Sequence, residues 1–95
     1  MNKYELTFIV RSDIEEAEIK KTAEDMKKVL TDAKANIVEE KALGQKELAY
    51  EINKMKTGYY FFFVVETTSE VINEFERLSR INENVMRHLT IKVED

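Results

Sequence analysis

Tyr59-Tyr60-Phe61-Phe62-Phe63-Val64-Val65 is a run of seven residues with no charged or amide side chain. Aromatic and β-branched residues in such a run predict a strand. A strand covered on one face only should alternate apolar and polar residues, and this one does not. Phe61, Phe63 and Val65 fall on one face, and Tyr60, Phe62 and Val64 on the other. Both faces are therefore apolar, and the rest of the chain decides which of them is covered.

Upstream of the run, Lys54-Met55-Lys56-Thr57-Gly58 reads as a turn. Before it, Leu48, Tyr50 and Ile52 alternate with Ala49 and Glu51, and Ile37-Val38 leads through a charged stretch to Leu43-Gly44. These residues predict one long strand bent or bulged at Gly44, or two strand pieces. Farther upstream, Tyr4, Leu6, Phe8 and Val10 share one face of a strand over 3–10, with Glu5, Thr7 and Ile9 on the other. Ser12 followed by Glu15 has the spacing of a capping box. Ile19, Ala23, Met26, Leu30 and Ala33 then recur at helical spacing, predicting an amphipathic helix over 13–34.

Downstream, Thr67 with Glu70 offers a second capping box, and Val71 or Ile72, Phe75 and Leu78 line a helix over 69–79. Asn82-Glu83-Asn84 is a turn. From Val85 to Val93, Leu89, Ile91 and Val93 alternate with His88, Thr90 and Lys92 in a fourth strand.

The order βαββαβ predicts an α+β, ferredoxin-like (split βαβ) sandwich. Right-handed crossovers place both helices on one face of a four-stranded antiparallel sheet. Phe61, Phe63 and Val65 have the better-buried residue types and are assigned to the covered face. Tyr60, Phe62 and Val64 then stand on the open face with Ile9, Thr7 and Glu5. A contiguous exposed aromatic patch marks a partner surface. The alternative is a loop or tail folded over it, for which the chain has little spare length. Two kinds of partner suit such a face: single-stranded RNA, whose bases stack on sheet aromatics, or a second protein. Lys56-Thr57-Gly58-Tyr59-Tyr60-Phe61 partly matches the basic-Gly-aromatic motif of the RNA-recognition-motif family. It carries an extra residue before the glycine and a second aromatic where a small residue belongs.

Ninety-five residues with 43% hydrophobic content form a single domain, 1–95, with one modest core. No apolar run approaches the roughly 20 residues of a membrane helix. No signal peptide pattern opens the chain, and cysteine is absent, so a cytoplasmic setting is expected. The net charge of −4 argues against a nucleic-acid binder, but the charge is uneven. Residues 12–40 hold five Lys and nine Asp or Glu, and the rest hold ten of each sign. The excess acid is thus expected on the first helix, leaving another face free to be locally basic.

Catalytic equipment is missing. There is no Cys, the only histidine is His88, and Gly44 and Gly58 stand apart, so neither a nucleophile, a metal cluster nor a phosphate loop is expected. Glu15-Glu16 and Glu39-Glu40 read as a solvated helix face and a strand end. His88 reads as a surface residue of the last strand, near phosphate.

Four separated stretches resemble the bacterial small-ribosomal-subunit protein six family. Met1-Asn2-Lys3-Tyr4-Glu5-Leu6 is similar to its opening, and Leu43-Gly44-Gln45-Lys46-Glu47-Leu48-Ala49-Tyr50-Glu51-Ile52-Asn53-Lys54 to its Leu-Gly … Leu-Ala-Tyr-x-Ile-x-Lys motif. Gly58-Tyr59 follows at the family's distance, and Arg80 to His88 resembles its exit from the second helix. The resemblance spans essentially the whole chain. It implies a non-enzymatic constituent of the small ribosomal subunit, with no cofactor and no small-molecule substrate. It implies binding to the central domain of 16S ribosomal RNA together with small-subunit protein eighteen.

From residue type and the family pattern, Asn2, Lys3, Lys46, Lys54, Arg87, His88 and Lys92 are the expected RNA contacts. Tyr60, Phe62 and Val64 are expected to pack against a partner. Lys46 is followed by Glu47 where the family often has arginine, which weakens that loop as a phosphate ligand. The competing expectation is a small adaptor that homodimerises through its open sheet face.

Overall fold

A computed structural model describes residues 2–52 and 54–93; Asn53 of the Leu-Ala-Tyr motif, Met1 and the last two residues lie outside them. The elements run β1 (Asn2–Arg11), α1 (Glu16–Asp32), β2 (Asn36–Ile52), β3 (Met55–Thr67), α2 (Ser69–Ile81) and β4 (Val85–Val93). The strands lie in the order β2-β3-β1-β4, with every neighbouring pair antiparallel. This is the expected ferredoxin-like arrangement.

Register fixes the covered face. Tyr4 lies opposite Val65, Leu6 opposite Phe63, and Phe8 opposite Phe61. These side chains join Ile19, Met26 and Leu30 of α1 and Ile72 and Phe75 of α2 in a single core, so both helices cover the same face. Phe8 is its centre. Its ring stacks on Phe61 at 5.2 Å and meets Phe75 edge-on at 6.1 Å. Such aromatic pairs contribute about 0.5–1.5 kcal/mol each beyond the area they bury. The assignment of Phe61, Phe63 and Val65 to the covered face holds.

The ends of the helices differ from expectation. α1 begins at Glu16 with Glu15 at its N-cap, and neither helix has a side-chain cap. Ser12 instead bonds Thr57 at the start of β3, with 2.9 Å between the hydroxyls. Thr67 is buried at the end of β3, opposite Asn2, so it cannot cap α2. In the first case a strand end claims the hydroxyl, and in the second the residue itself is part of the strand. At its other end α1 stops in a Schellman motif. Lys34 takes φ 61°, and the amides of Lys34 and Ala35 donate to the carbonyls of Thr31 and Leu30. Ala33 is thereby the exposed C-cap rather than part of the apolar face. The buried face of α1 also includes Thr22, not expected there, whose hydroxyl donates to the Glu18 carbonyl at 2.8 Å and so tolerates burial.

β2 is one long strand with register shifts at Ile37/Glu39, Ala42/Gly44 and between Glu47 and Ile52. Gly44, at φ +85°, sits where the bend was expected. The turn before β3 is tighter than the sequence suggested. Ile52 pairs with Met55, so Met55 to Gly58 belong to the strand, and Lys54 turns the chain at φ 65°.

Candidate nucleic-acid and partner interface

The helix-free face is organised in rows that cross the three strands β3, β1 and β4. Val64, Glu5 and Ile91 form one row, and Phe62, Thr7 and Leu89 the next. Tyr60, Ile9 and Arg87 form the third. Tyr60 and Phe62 are half-buried, and Val64, expected on the open face, is only 8% exposed and so offers little surface, whereas Leu89 and Ile91 are 57% and 48% exposed. An apolar strip thus crosses the sheet from Phe62 to the β4 edge. Beside it lies a shallow depression of about 170 Å3 lined by Thr7, Ile9, Tyr60, Arg87, His88 and Leu89. Leu89 and Ile91 were not singled out from sequence. Their alternation with His88 and Thr90 was visible, but the face it pointed to depended on the β1–β4 register.

One end of this face is covered after all. Ile9 points away from the helices yet is only 8% exposed. A Cβ built on Gly58 would lie 2.4 Å from Ile9 Cγ2 and 3.6 Å from Leu48 Cδ2, so Leu48 sits over the strand. The Arg87 guanidinium stands 5.1 Å from the centre of the Tyr50 ring. β2 and β4 are three strand spacings apart, about 14 Å. The tip of the β2–β3 hairpin therefore leans across the helix-free face. The loop that folds over the patch is the hairpin itself, made from residues that read simply as strand.

The expected RNA contacts divide between two ends and two faces of the sheet. Asn2, Lys3 and Lys92 lie at the end where β1 begins and β4 finishes. Lys46, opposite Gly58, lies with Lys54 and Arg87 at the hairpin end. Lys3 shares the helix-free face with Arg87. His88 and Lys92 are opposite Phe8 and Tyr4, hence on the helix side of β4. His88 is turned toward α2, with Nε2 3.7 Å from Glu76 Oε2. Arg11, at the end of β1, is occupied by Asp13 through two bonds of 2.5 and 2.7 Å. That hydrogen bonding holds the Asp13 carboxyl below its usual range and the Arg11 guanidinium above its own.

The model of the family described as ribosomal protein S6 matches residues 3–92. The chain belongs to the ribosomal protein S6 family. It also resembles the crystal structure of 30S ribosomal protein S6 from Thermotoga maritima. The two share 26% sequence identity and a TM-score of 0.91, over 97% of this chain and 87% of that one. Members of the ribosomal protein S6 family are structural components of the small ribosomal subunit and not enzymes.

In this S6 fold most of the acid of the 12–40 segment lies away from the helix-free face, although Glu5 of β1 stands on that face between Val64 and Ile91, and Glu39 lies opposite Val64. The exposed Glu16, Glu18, Glu24 and Asp25 ride on α1, on the far side of the sheet from Phe62 and Leu89. Two acids of the 12–40 segment are instead on β2, where each is paired. Glu39 meets Lys41 at 3.1 Å, and Glu40 meets Lys27 at 3.0 Å. Among the described residues no group of three His, Cys, Asp or Glu is placed to hold a metal ion.

Proposed function

We propose that this chain binds the central domain of 16S ribosomal RNA in the cytoplasmic small subunit, jointly with small-subunit protein eighteen. The observation that carries the reading is the apolar strip left open on the helix-free face, with basic side chains at both of its ends. Tyr60 and Phe62 together with Leu89 and Ile91 receive the protein partner, which anchors apolar side chains beside Thr7 and Leu89; Val64, already buried, supports that strip from below. Lys46, Lys54 and Arg87 at the hairpin end, and Asn2, Lys3 and Lys92 at the other, meet phosphates. His88 contributes from the helix side. No strand or helix carries a dense arginine row that would fit a groove, so these contacts position the protein rather than read bases.

Scattered single contacts bind weakly, so the partner is needed to complete the RNA site. The test is a titration of a central-domain RNA fragment with this protein, with the partner, and with both, at one salt concentration. Tight binding is expected only from the pair. Equal binding by this protein alone overturns the cooperative reading. A stable homodimer indifferent to RNA would replace it with an adaptor that self-associates through the open face.

A further inference from the structure

We infer that Tyr50 and Arg87 form a latch that holds the β2–β3 hairpin down on the helix-free face, and that Arg87 acts in assembly by positioning that hairpin. The inference rests on the RNA and partner reading above for its consequence, but not for the latch itself.

Past Glu47 the β2–β3 ladder is broken until Ile52 meets Met55. Over this stretch regular pairing with β3 does not set the direction of the hairpin. Two contacts do so instead. Leu48 sits over Gly58 beside Ile9, which supplies burial without direction. Tyr50 reaches the Arg87 guanidinium on the far edge strand, which does specify a direction, because the cation must lie over the ring. Tyr50 is 54% exposed, an unusual position for an aromatic with only a core role. Arg87 makes no ion pair among the described residues, although Glu83 and Glu76 lie on the neighbouring segments. Its partner is the Tyr50 ring.

Two consequences follow for the interface. The hairpin carries Lys46 and Lys54, so the latch sets where these cations stand relative to Lys3 and the apolar strip. Arg87 also forms one wall of the depression between Tyr60 and Leu89. Closing the latch therefore shapes the hole that receives a partner side chain. Arg87 is then coupled to Tyr50, where a plain phosphate ligand would be independent of it.

The experiment measures amide hydrogen exchange of Leu48–Ile52 and Met55–Thr57 in the free protein, and affinity for the RNA fragment with the partner. The variants are Tyr50→Leu, Arg87→Gln, their double, and the conservative Tyr50→Phe and Arg87→Lys. Each disruptive single change should speed hairpin exchange about two- to five-fold, the range expected of one exposed cation–π contact. The double should be no worse than either single, and the conservative pair should restore protection. Unchanged exchange in Tyr50→Leu overturns the latch, whatever the RNA result. Faster exchange with unaltered assembly overturns the positioning role and leaves the latch. Independent, additive losses of affinity from the two sites overturn the positioning role and leave Arg87 a phosphate contact alone. A wild-type protein that binds neither RNA nor partner refutes the functional reading alone, since the exchange result stands without it.

Discussion

Phe62 and Phe63 are adjacent in one strand and have opposite situations. Phe63 faces the helices, is 2% exposed and packs against Phe8 at 5.7 Å between ring centres. Phe62 faces away, lies opposite Thr7 and Lys41, and is half-buried in the same row as Leu89. Identical side chains here serve different ends because a strand sends neighbours to opposite faces and only one face of this sheet has helices. On the covered side the aromatic rings stabilise the fold. On the other they leave apolar surface half-exposed, and the strand loses its usual alternation as a result.

The largest expected effects follow from that contrast. Phe63→Ala should lower folding stability by about 3–5 kcal/mol, since it empties a site with no room to collapse. Phe62→Ala should change folding stability by under about 1 kcal/mol but weaken assembly with the partner by roughly 1–3 kcal/mol. Denaturant unfolding and a binding titration on both variants separate the two. Equal folding losses would mean that the helix-free face is already closed in the isolated protein, and the contrast would fail.

Gly58 tests the covered end of the open face. Its Cβ would collide with Ile9 Cγ2, the stiff branch of a side chain pinned under Leu48. Gly58→Ala should cost about 1–3 kcal/mol as overpacking. Gly44→Ala meets nothing within 4 Å, but its φ of +85° makes it strained by roughly 1–2 kcal/mol. Only the first should also raise exchange at Leu48–Ile52. If both behave alike, the hairpin does not press on Ile9.

Much of this was legible in the sequence, and what escaped did so for a shared reason. Element order, the two faces of β3 and the bend at Gly44 depend on local period and on glycine chemistry, which one sequence displays. The capping boxes at Ser12 and Thr67 failed because residues 45 or more positions away drew both into other roles: Thr57 bonds the Ser12 hydroxyl, and pairing opposite Asn2 keeps Thr67 within β3. The basic candidates were chosen by residue type, and type does not say which face of β4 a side chain takes. That depends on pairing with β1, which turns His88 and Lys92 toward the helix side and Leu89 and Ile91 into the open strip. The leaning hairpin was hidden similarly. Tyr50 and Arg87 are far apart in sequence, and neither residue alone signals the other.

Smaller effects should distinguish the two ends of the open face. Lys46→Ala and Lys54→Ala at the hairpin end, and Lys3→Ala at the other, should each lower RNA affinity modestly. Each should reduce the slope of log affinity against log salt by up to about one if it meets a phosphate. The two hairpin lysines should also respond to Tyr50→Leu, whereas Lys3 should not. A Lys3 contribution that vanishes with the latch broken would mean that the two ends do not act separately.

The smallest effect is expected from the acid on the helix side. Glu16 and Glu24 stand on the solvent face of α1, and Glu16 only loosely engages Lys20 at 3.7 Å, with both side chains more than 70% exposed. Such a pair contributes little to stability, so Glu16→Gln with Glu24→Gln should leave the fold unaltered. The helix layer and the helix-free face are separated by the sheet, and stacked layers lie about 10 Å apart. The screening length is about 8 Å at physiological ionic strength. The two removed charges should thus raise RNA affinity less than about two-fold there, with a somewhat larger gain at low salt. Reduced binding would show that α1 itself touches the RNA, and the division of labour between the two faces would have to be redrawn with acid at the interface.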